Sequence, residues 1–305
     1  MDHRQFFHDV HDAYPEPPKW VIQDLLPVGM TVIGAPPKNF KSTLADALPC
    51  IVAGWPCNVL PAWASIVPEM TGPAVILSGD ATTAELNWLF NKGFGLKTTP
   101  ETIFVNDDPW DFKLDNKKRM HTLFAQLEQL RPRVLLIDPF RKYISGDEND
   151  SQYLEEILYP LRKWAISNDS SLILVHHLQK DPIGASIDDL LDPARLRGSG
   201  VLFANADCVL MCRCINRFTG LERVNAIFKR GAPWDRTFYL GVPGYGENWK
   251  IFGEEEMKEQ DLNIKRLATQ GAIASQIAKQ LHIKQTEVDE SIAKILRNEG
   301  KVKIK

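Results

Sequence analysis

The sequence has little cysteine, no long apolar run and no marked excess of either charge. Its five cysteines (Cys50, Cys57, Cys208, Cys212 and Cys214) are odd in number and form no CxxC pair. That spacing argues against a disulfide framework or a zinc ribbon, and a reducing, cytoplasmic setting is expected. No stretch of about 18 apolar residues occurs, so no membrane span is expected. The opening segment MDHRQFFHDVHDAYPEPPKW is polar and lacks the apolar centre of a secretory signal. Lys and Arg number 36 against 39 Asp and Glu, a net charge of −3. The chain is no polycation, so nucleic-acid binding would have to come from local patches.

What is present is ordinary globular material: 44% hydrophobic and 25% charged residues over 305 positions. Disordered, collagen-like and coiled-coil classes do not have that mixture. The length fits two domains, or one large α/β domain with an appendage. Short, mainly apolar runs read as strands: Met30–Ile33, Ala74–Ser78, Thr102–Val105, Val134–Ile137 and Ser171–Val175. Between them lie helical patterns over Lys41–Val52, Thr82–Phe90, Asp115–Leu130 and Tyr153–Asn168. The segment from Trp20 to Pro27 reads as a short helix or an extended arm. Apolar strands alternating with helices predict a parallel sheet covered on both faces. After Gly200, the runs Cys208–Cys212, Arg223–Lys229 and Thr237–Leu240 predict a hairpin edge on the same sheet. The expected division is an arm over 1–19, a core over 20–253, a linker or helix over 254–270 and a small domain over 271–305.

The most informative segment is GAPPKNFKST, Gly34–Thr43, between a predicted strand and a predicted helix. Backbone N–H groups of such a loop can ring a phosphate, and the helix N-terminus adds the positive end of its dipole. The nucleotide-binding candidates are Ala35, Pro36, Pro37, Lys38, Asn39, Phe40, Lys41, Ser42 and Thr43. Lys41 would neutralise the β- and γ-phosphates, and Ser42 would place a hydroxyl on Mg²⁺. Counting back from Lys41, the glycines of GxxxxGK[ST] fall on Ala35 and Phe40, and Gly34 lies one residue early. Phe40 must keep an ordinary φ or be strained, because glycine alone takes positive φ without cost. A Lys-Ser helix start after a plain turn is the competing interpretation.

A phosphate loop needs an acid at the end of a neighbouring strand to hold the Mg²⁺ water shell. Asp138 ends VLLID, 97 residues beyond Lys41; a turn-capping aspartate is the alternative. Asp80 ends AVILSGD and is the candidate for activating water, or else it caps the following helix. In SLILVHHLQK the two histidines must point to opposite faces of a strand, which disfavours a joint metal site. His177, at the tip, is the candidate γ-phosphate sensor. Lys229 and Arg230 of FKRGAPWD stand at a strand end, where cations can reach a nucleotide on an adjacent subunit or form a solvated turn.

These segments, in this order, resemble the RecA-like ATPases of the plasmid RepA hexameric helicase group. The resemblance runs from about Trp20 to Tyr239. It is carried by PPKWVIQDLLPVGMTVIGAPPKNFKS, AVILSGD, VLLIDPFRKY, LILVHHLQK, RLRGSGVLFANADCVL and FKRGAP. It implies an α/β RecA-like P-loop NTPase core, hexameric rings, and ATP with Mg²⁺ bound between subunits. Lys41, Ser42 and Asp138 would then be the phosphate and metal residues. Asp80 stands where the group usually has a catalytic glutamate, His177 matches the sensor strand, and Lys229 and Arg230 match groups acting in trans. Two loops become candidates for facing single-stranded DNA in a ring channel: 141–151, with Arg141 and Lys142, and 181–197, with Arg195 and Arg197. The implied activity is an ATP-dependent DNA helicase or translocase serving replication of a plasmid, phage or mobile element. A nucleotide-dependent DNA-binding regulator or recombination mediator with slow turnover is the alternative, favoured by Phe40 and Asp80.

The tail reads as a winged helix-turn-helix. Helices are expected over Ser275–Leu281 and Thr286–Arg297, followed by a turn and a basic terminal strand KVKIK. Lys284, Gln285, Thr286, Lys294, Arg297, Lys301, Lys303 and Lys305 are the candidates for meeting duplex DNA. From His282 onward six Lys and Arg face four Asp and Glu, an excess of two. That excess is mild, so a protein-contact role is the alternative for the tail.

Overall fold

The computed structural model describes residues 19–37, 39, 41–54, 68–93, 101–181, 186–198, 200–216, 221–229, 236–241, 250–252, 264, 267, 272, 274–281 and 284–295. Nearly all of the N-terminal arm lies outside these residues, as do Lys38, Phe40, Arg230, Arg297, Lys301, Lys303 and Lys305. At Lys294 only the backbone is described.

A two-stranded hairpin, β1 (Trp20–Ile22) and β2 (Leu26–Pro27), stands where a helix or arm was expected. Asp24 takes a left-handed φ of 59° at its turn, a conformation that aspartate tolerates and a helix does not. Then follow β3 (Gly29–Ala35), α1 (Lys41–Val52), β4 (Ala74–Ser78) and α2 (Thr83–Trp88). Thr82 caps α2 in a reciprocal box with Glu85, and a π-helical turn over Leu89–Gly93 continues it.

β5 (Ile103–Asn106) and α3 (Lys117–Leu130) come next. α3 begins two residues later than its apolar pattern suggests. Asn116 caps it, and Asp115 instead accepts hydrogen bonds from the Tyr153 hydroxyl and the Ser145 amide. β6 (Val134–Asp138), α4 (Ser151–Ser167), β7 (Ser171–His177), α5 (Ile187–Leu190) and α6 (Val201–Asn205) complete the alternating part. The last strands are β8 (Cys208–Asn216), β9 (Leu221–Phe228), β10 (Arg236–Gly241) and β11 (Lys250–Phe252).

The described strands form a nine-stranded sheet in the order β11-β10-β9-β8-β3-β7-β6-β4-β5, beside the separate β1-β2 pair. From β8 to β5 every pairing is parallel. From β8 to β11 every pairing is antiparallel. The expected hairpin edge is therefore present. Alternate residues feed two cores. Ile33, Ile76, Leu136, Ile173 and Leu210 face α1 and the β1-β2 hairpin. Val32, Val75, Leu135, Leu172 and Val209 face α3, α4 and α6. This double burial explains why the central strands are apolar throughout.

The start of β3 is held by an ion pair between the half-buried Arg162 and the buried Asp207. Arg162 donates from Nε and Nη2 to Asp207 at 3.0 and 2.7 Å, and Asp207 also accepts from the Met30 amide. Gly29, with φ 118°, leaves room for that carboxylate. A smaller core joins Ile264 and Leu267 to α7 (Ala274–Leu281) and α8 (Gln285–Ile295) through Ile277, Val288 and Ile292. Ile264 and Leu267 fall in the expected linker, yet they are buried with the tail. The expected wing lies outside the described residues.

Truncating Asp207 to Ala strands the Arg162 guanidinium and the Met30 amide in a buried setting. The expected loss is about 3 kcal/mol, read as a lower urea midpoint at unchanged slope.

Candidate nucleotide site

Strand alternation decides which polar residues meet. Along β6, Val134 and Leu136 face α1, so Asp138 faces it too. Along β7, Ile173 and Val175 face α1 and so does His177, whereas His176 points to the opposite core. Ala35, the last residue of β3, pairs in register with His177, and Ser78 pairs with Asp138. α1 begins at Lys41 above these strand ends. The segment joining β3 to α1 therefore lies at the carboxyl edge of the sheet, flanked by two strands that arrive from far along the chain. Open α/β sheets bind ligands at such places.

Lys41 and Asp138 are both buried, 8% and 7% exposed. The Ser42 side chain lies near enough to Asp138 to lower its carboxyl. Burial raises the Asp138 carboxyl to about 6; Ser42 and Lys41 pull it down, and the charge of Asp80 pushes it up. Asp138 Oδ1 is buried with no hydrogen-bond partner among the described residues. An unsatisfied carboxylate oxygen beside a serine hydroxyl suits a hard cation that takes oxygen ligands and keeps several waters. Ser42 and Asp138 would hold Mg²⁺, and the bound ion would neutralise phosphate charge.

Asp46, one helical turn beyond Ser42, is a residue that motif spacing did not flag. It is 5% exposed, and its carboxyl is pushed well above the usual range by burial first and by the charge of Asp138 second. The i, i+4 step from Ser42 is the signal that could have found it.

The loop before α1 is tight. Asn39 is buried and donates to the Pro37 carbonyl at 3.0 Å. Ala35 is buried, Pro36 half-buried and Pro37 exposed, and Thr43 is half-buried in the first turn of α1. Gly34 is required for a different reason from phosphate approach. A Cβ there would press on Leu196, Leu178 and Met211 at 2.7–3.1 Å, on the side away from α1. Its position one residue early in the motif follows from sheet packing.

The two histidines have separate environments, as strand alternation requires. His177 is half-buried, and its Nδ1 has no hydrogen-bond partner among the described residues. Burial and the charges of Lys41 and Arg197 depress its pKa, and Asp80 opposes them. His176 is buried and lowered to about 4, chiefly by desolvation. Its Nε2 lies 3.0 Å from the Arg197 carbonyl, which can only accept, so in the neutral ring Nε2 carries the proton.

Asp80 stands at an exposed bend, with its carboxylate paired to Lys142 at 2.5 Å. Its charge reaches both Asp138 and His177. Lys41, Ser42, Asp138, His177 and Asp80 are thus brought together.

Other candidates are held elsewhere. Lys229 donates to the Phe203 and Ala204 carbonyls at 2.8 Å each and lies over the Phe203 ring. It binds the end of α6 in its own chain. Arg195 corrects an expectation: it is buried, pairs with Asp181 at 2.9 Å and donates to the Gln179 carbonyl, so it is no exposed phosphate contact. Arg213 pairs with the same Asp181 at 2.7 Å. Arg141 donates to the Ile144 carbonyl and lies 3.8 Å from Glu148. Arg197 is exposed, as are Lys284, Gln285 and Thr286 at the start of α8.

A RecA-like α/β fold with a mostly parallel central sheet is what this architecture defines. The AAA_25 family model, described as an AAA domain, matches residues 3–182, and the chain belongs to that family. The match ends just beyond β7, so β8–β11 and the tail lie outside it. Among solved structures, the chain is similar to an ATPase domain, with 14% identity, a TM-score of 0.54, and coverage of 73% of this chain and 84% of that one. It is also similar to the KaiC-like protein PH0186 from Pyrococcus horikoshii OT3, with 12% identity, a TM-score of 0.48, and coverage of 76% and 93%. At such identities the likeness concerns the fold. No curated protein matches the chain. Among the described residues no helix is long and apolar enough to cross a membrane.

The raised carboxyl of Asp138 has a stability consequence. Between its usual value near 4 and about 6, the folded chain keeps a proton that the unfolded chain has released, so this group subtracts stability as pH rises through that window. Asp138→Asn is expected to match wild type below pH 4 and to exceed it by about 2 kcal/mol above pH 6. Urea melts of the nucleotide-free protein at pH 4 and pH 7.5 check this.

Proposed function

We propose that the protein is an ATP-dependent motor on DNA, a ring-forming helicase or translocase of the RepA type acting in replication of a plasmid, phage or other mobile element. The observation that carries this reading is the meeting of Lys41 and Ser42, at the start of α1, with the buried Asp138 at the end of β6. Backbone amides at the start of α1 and the Lys41 ammonium bind the β- and γ-phosphates. Ser42 and Asp138 would hold the Mg²⁺ that accompanies ATP, whose charge would offset that of the phosphates.

Asp80 accepts a proton from the attacking water as that water's oxygen bonds the γ-phosphorus. The bridging P–O bond then breaks, and its electrons leave with ADP. His177, neutral at physiological pH, senses the γ-phosphate by hydrogen bonding rather than by charge. Subunits assemble as a hexamer, with Arg230 reaching a neighbour's nucleotide. Single-stranded DNA meets the exposed Arg197 and Arg141. The tail, through Lys284, Gln285, Thr286, Lys294, Arg297, Lys301, Lys303 and Lys305, meets duplex DNA.

A second reading, a DNA-binding regulator with slow turnover, draws support from Asp80. Its carboxylate is one methylene shorter than glutamate and is engaged by Lys142.

Lys41→Ala is expected to weaken binding of a fluorescent ATP analogue by about a hundredfold, the loss of a charge-assisted phosphate contact. Equal affinity in the two proteins defeats the phosphate-loop reading. ATPase rates with and without single-stranded DNA, followed by strand displacement on a forked duplex, separate motor from regulator. Removing residues 261–305 is expected to flatten the salt dependence of duplex binding.

A further inference from the structure

The loop after β6 carries a lysine whose ammonium points back into the nucleotide site. Lys142 Nζ lies 2.5 Å from Asp80 Oδ1 and donates to the Gly79 carbonyl at 2.7 Å. Its aliphatic stem lies against Gly79, where an added Cβ would come within 3.0 Å of both Lys142 Cβ and Cδ. The Gly79 amide donates to the Asp138 carbonyl at 2.7 Å, tying the same glycine to the end of β6. The backbone of Lys142 is itself anchored: Phe140 and Tyr143 on either side are fully buried, and the Lys142 amide donates to the Pro139 carbonyl.

The backbone around Asp80 is held independently of Lys142. Ser78 Oγ donates to the Ala81 carbonyl and accepts from the Ala81 amide. The next turn is closed by the Thr82–Glu85 box and by Asp107, which accepts from the Thr83 amide. What remains free at Asp80 is side-chain rotation on an exposed bend, 58% accessible. The carboxylate also faces the negative charge of Asp138, which favours turning away toward water. Lys142 opposes both tendencies.

We propose that Lys142 is a positioning residue for Asp80, and that its ammonium serves the nucleotide site rather than a nucleic-acid phosphate. This role rests on the hydrolytic reading of Asp80 given above. Lys142 thereby leaves the DNA-facing set, and Arg141 stays in it. An exposed ion pair adds little to stability, so the pair is explained by what it orients.

The test is a double-mutant cycle on the full chain, measuring kcat, KM for ATP, affinity for an ATP analogue and affinity for single-stranded DNA. Lys142→Gln is expected to lower kcat about tenfold while nucleotide and DNA affinities stay within about twofold. Lys142→Arg is expected to restore at least about a third of the loss. Asp80→Asn is expected to abolish most turnover, and the double variant to match Asp80→Asn alone, because Lys142 acts through that carboxylate.

The positioning role is overturned if Lys142→Gln keeps the wild-type kcat, if it lowers the residual rate of Asp80→Asn by the same factor, or if it loses DNA affinity with kcat intact. Turnover by wild type together with an undiminished Asp80→Asn refutes the reading of Asp80 itself. A wild-type protein without turnover refutes hydrolysis and this assignment together.

Discussion

A buried aspartate meets the N-terminus of a helix across the edge of a parallel sheet, and the rest of the site is arranged around that meeting. Asp138 sits at the last position of β6, facing α1, where the Ser42 side chain and the Lys41 charge offset part of its desolvation. A carboxylate in such a place is costly to fold around. It persists because the strand is paired on both sides and cannot withdraw the residue without breaking its register with β4 and β7. The sheet thus supplies the rigidity that an electrostatically unfavourable group needs. A hard cation is the partner that would relieve it.

Around this contact the chain solves a positioning problem with short-range devices. Gly34 lets β3 run close beneath Leu178, Leu196 and Met211, and Gly79 lets the Lys142 stem cross the end of β4. The β4–α2 bend is held by Ser78, Thr82 and Asp107. Several charges elsewhere among the described residues are matched inside the molecule. Asp181 takes Arg195 and Arg213, Asp207 takes Arg162, and the α6 carbonyls take Lys229. Basic residues near a strand end are therefore poor guides to ligand contact until their partners are known. Arg195 illustrates this: its place in a candidate DNA-facing loop pointed outward, and its burial against Asp181 turned it inward.

Residue pattern alone determined a good deal. Mainly apolar runs of four or five residues, without strict alternation, identified the central strands, since a sheet buried on both faces requires them. The order of loop, lysine, strand-end acid and strand-end histidine pointed to an α/β core of RecA-like type, the fold that the structure has. The opposite facing of His176 and His177 followed from a period of two. These features are local, or depend only on chain order, and the physics that produces them acts within a few residues.

Tertiary structure decided what depends on contacts between distant segments. The pairing of β3 with β7 and β8 set which strand ends share an edge. That pairing explains why Gly34 is a packing residue, and the pairing of β6 with β7 and β4 explains why Asp138 lies within reach of α1 and why Lys142 reaches Asp80 across 62 positions of sequence. Hydrogen bonds and ion pairs act over a few ångströms whatever the separation along the chain. Their partners are therefore fixed by register and topology, which no short stretch of residues encodes by itself.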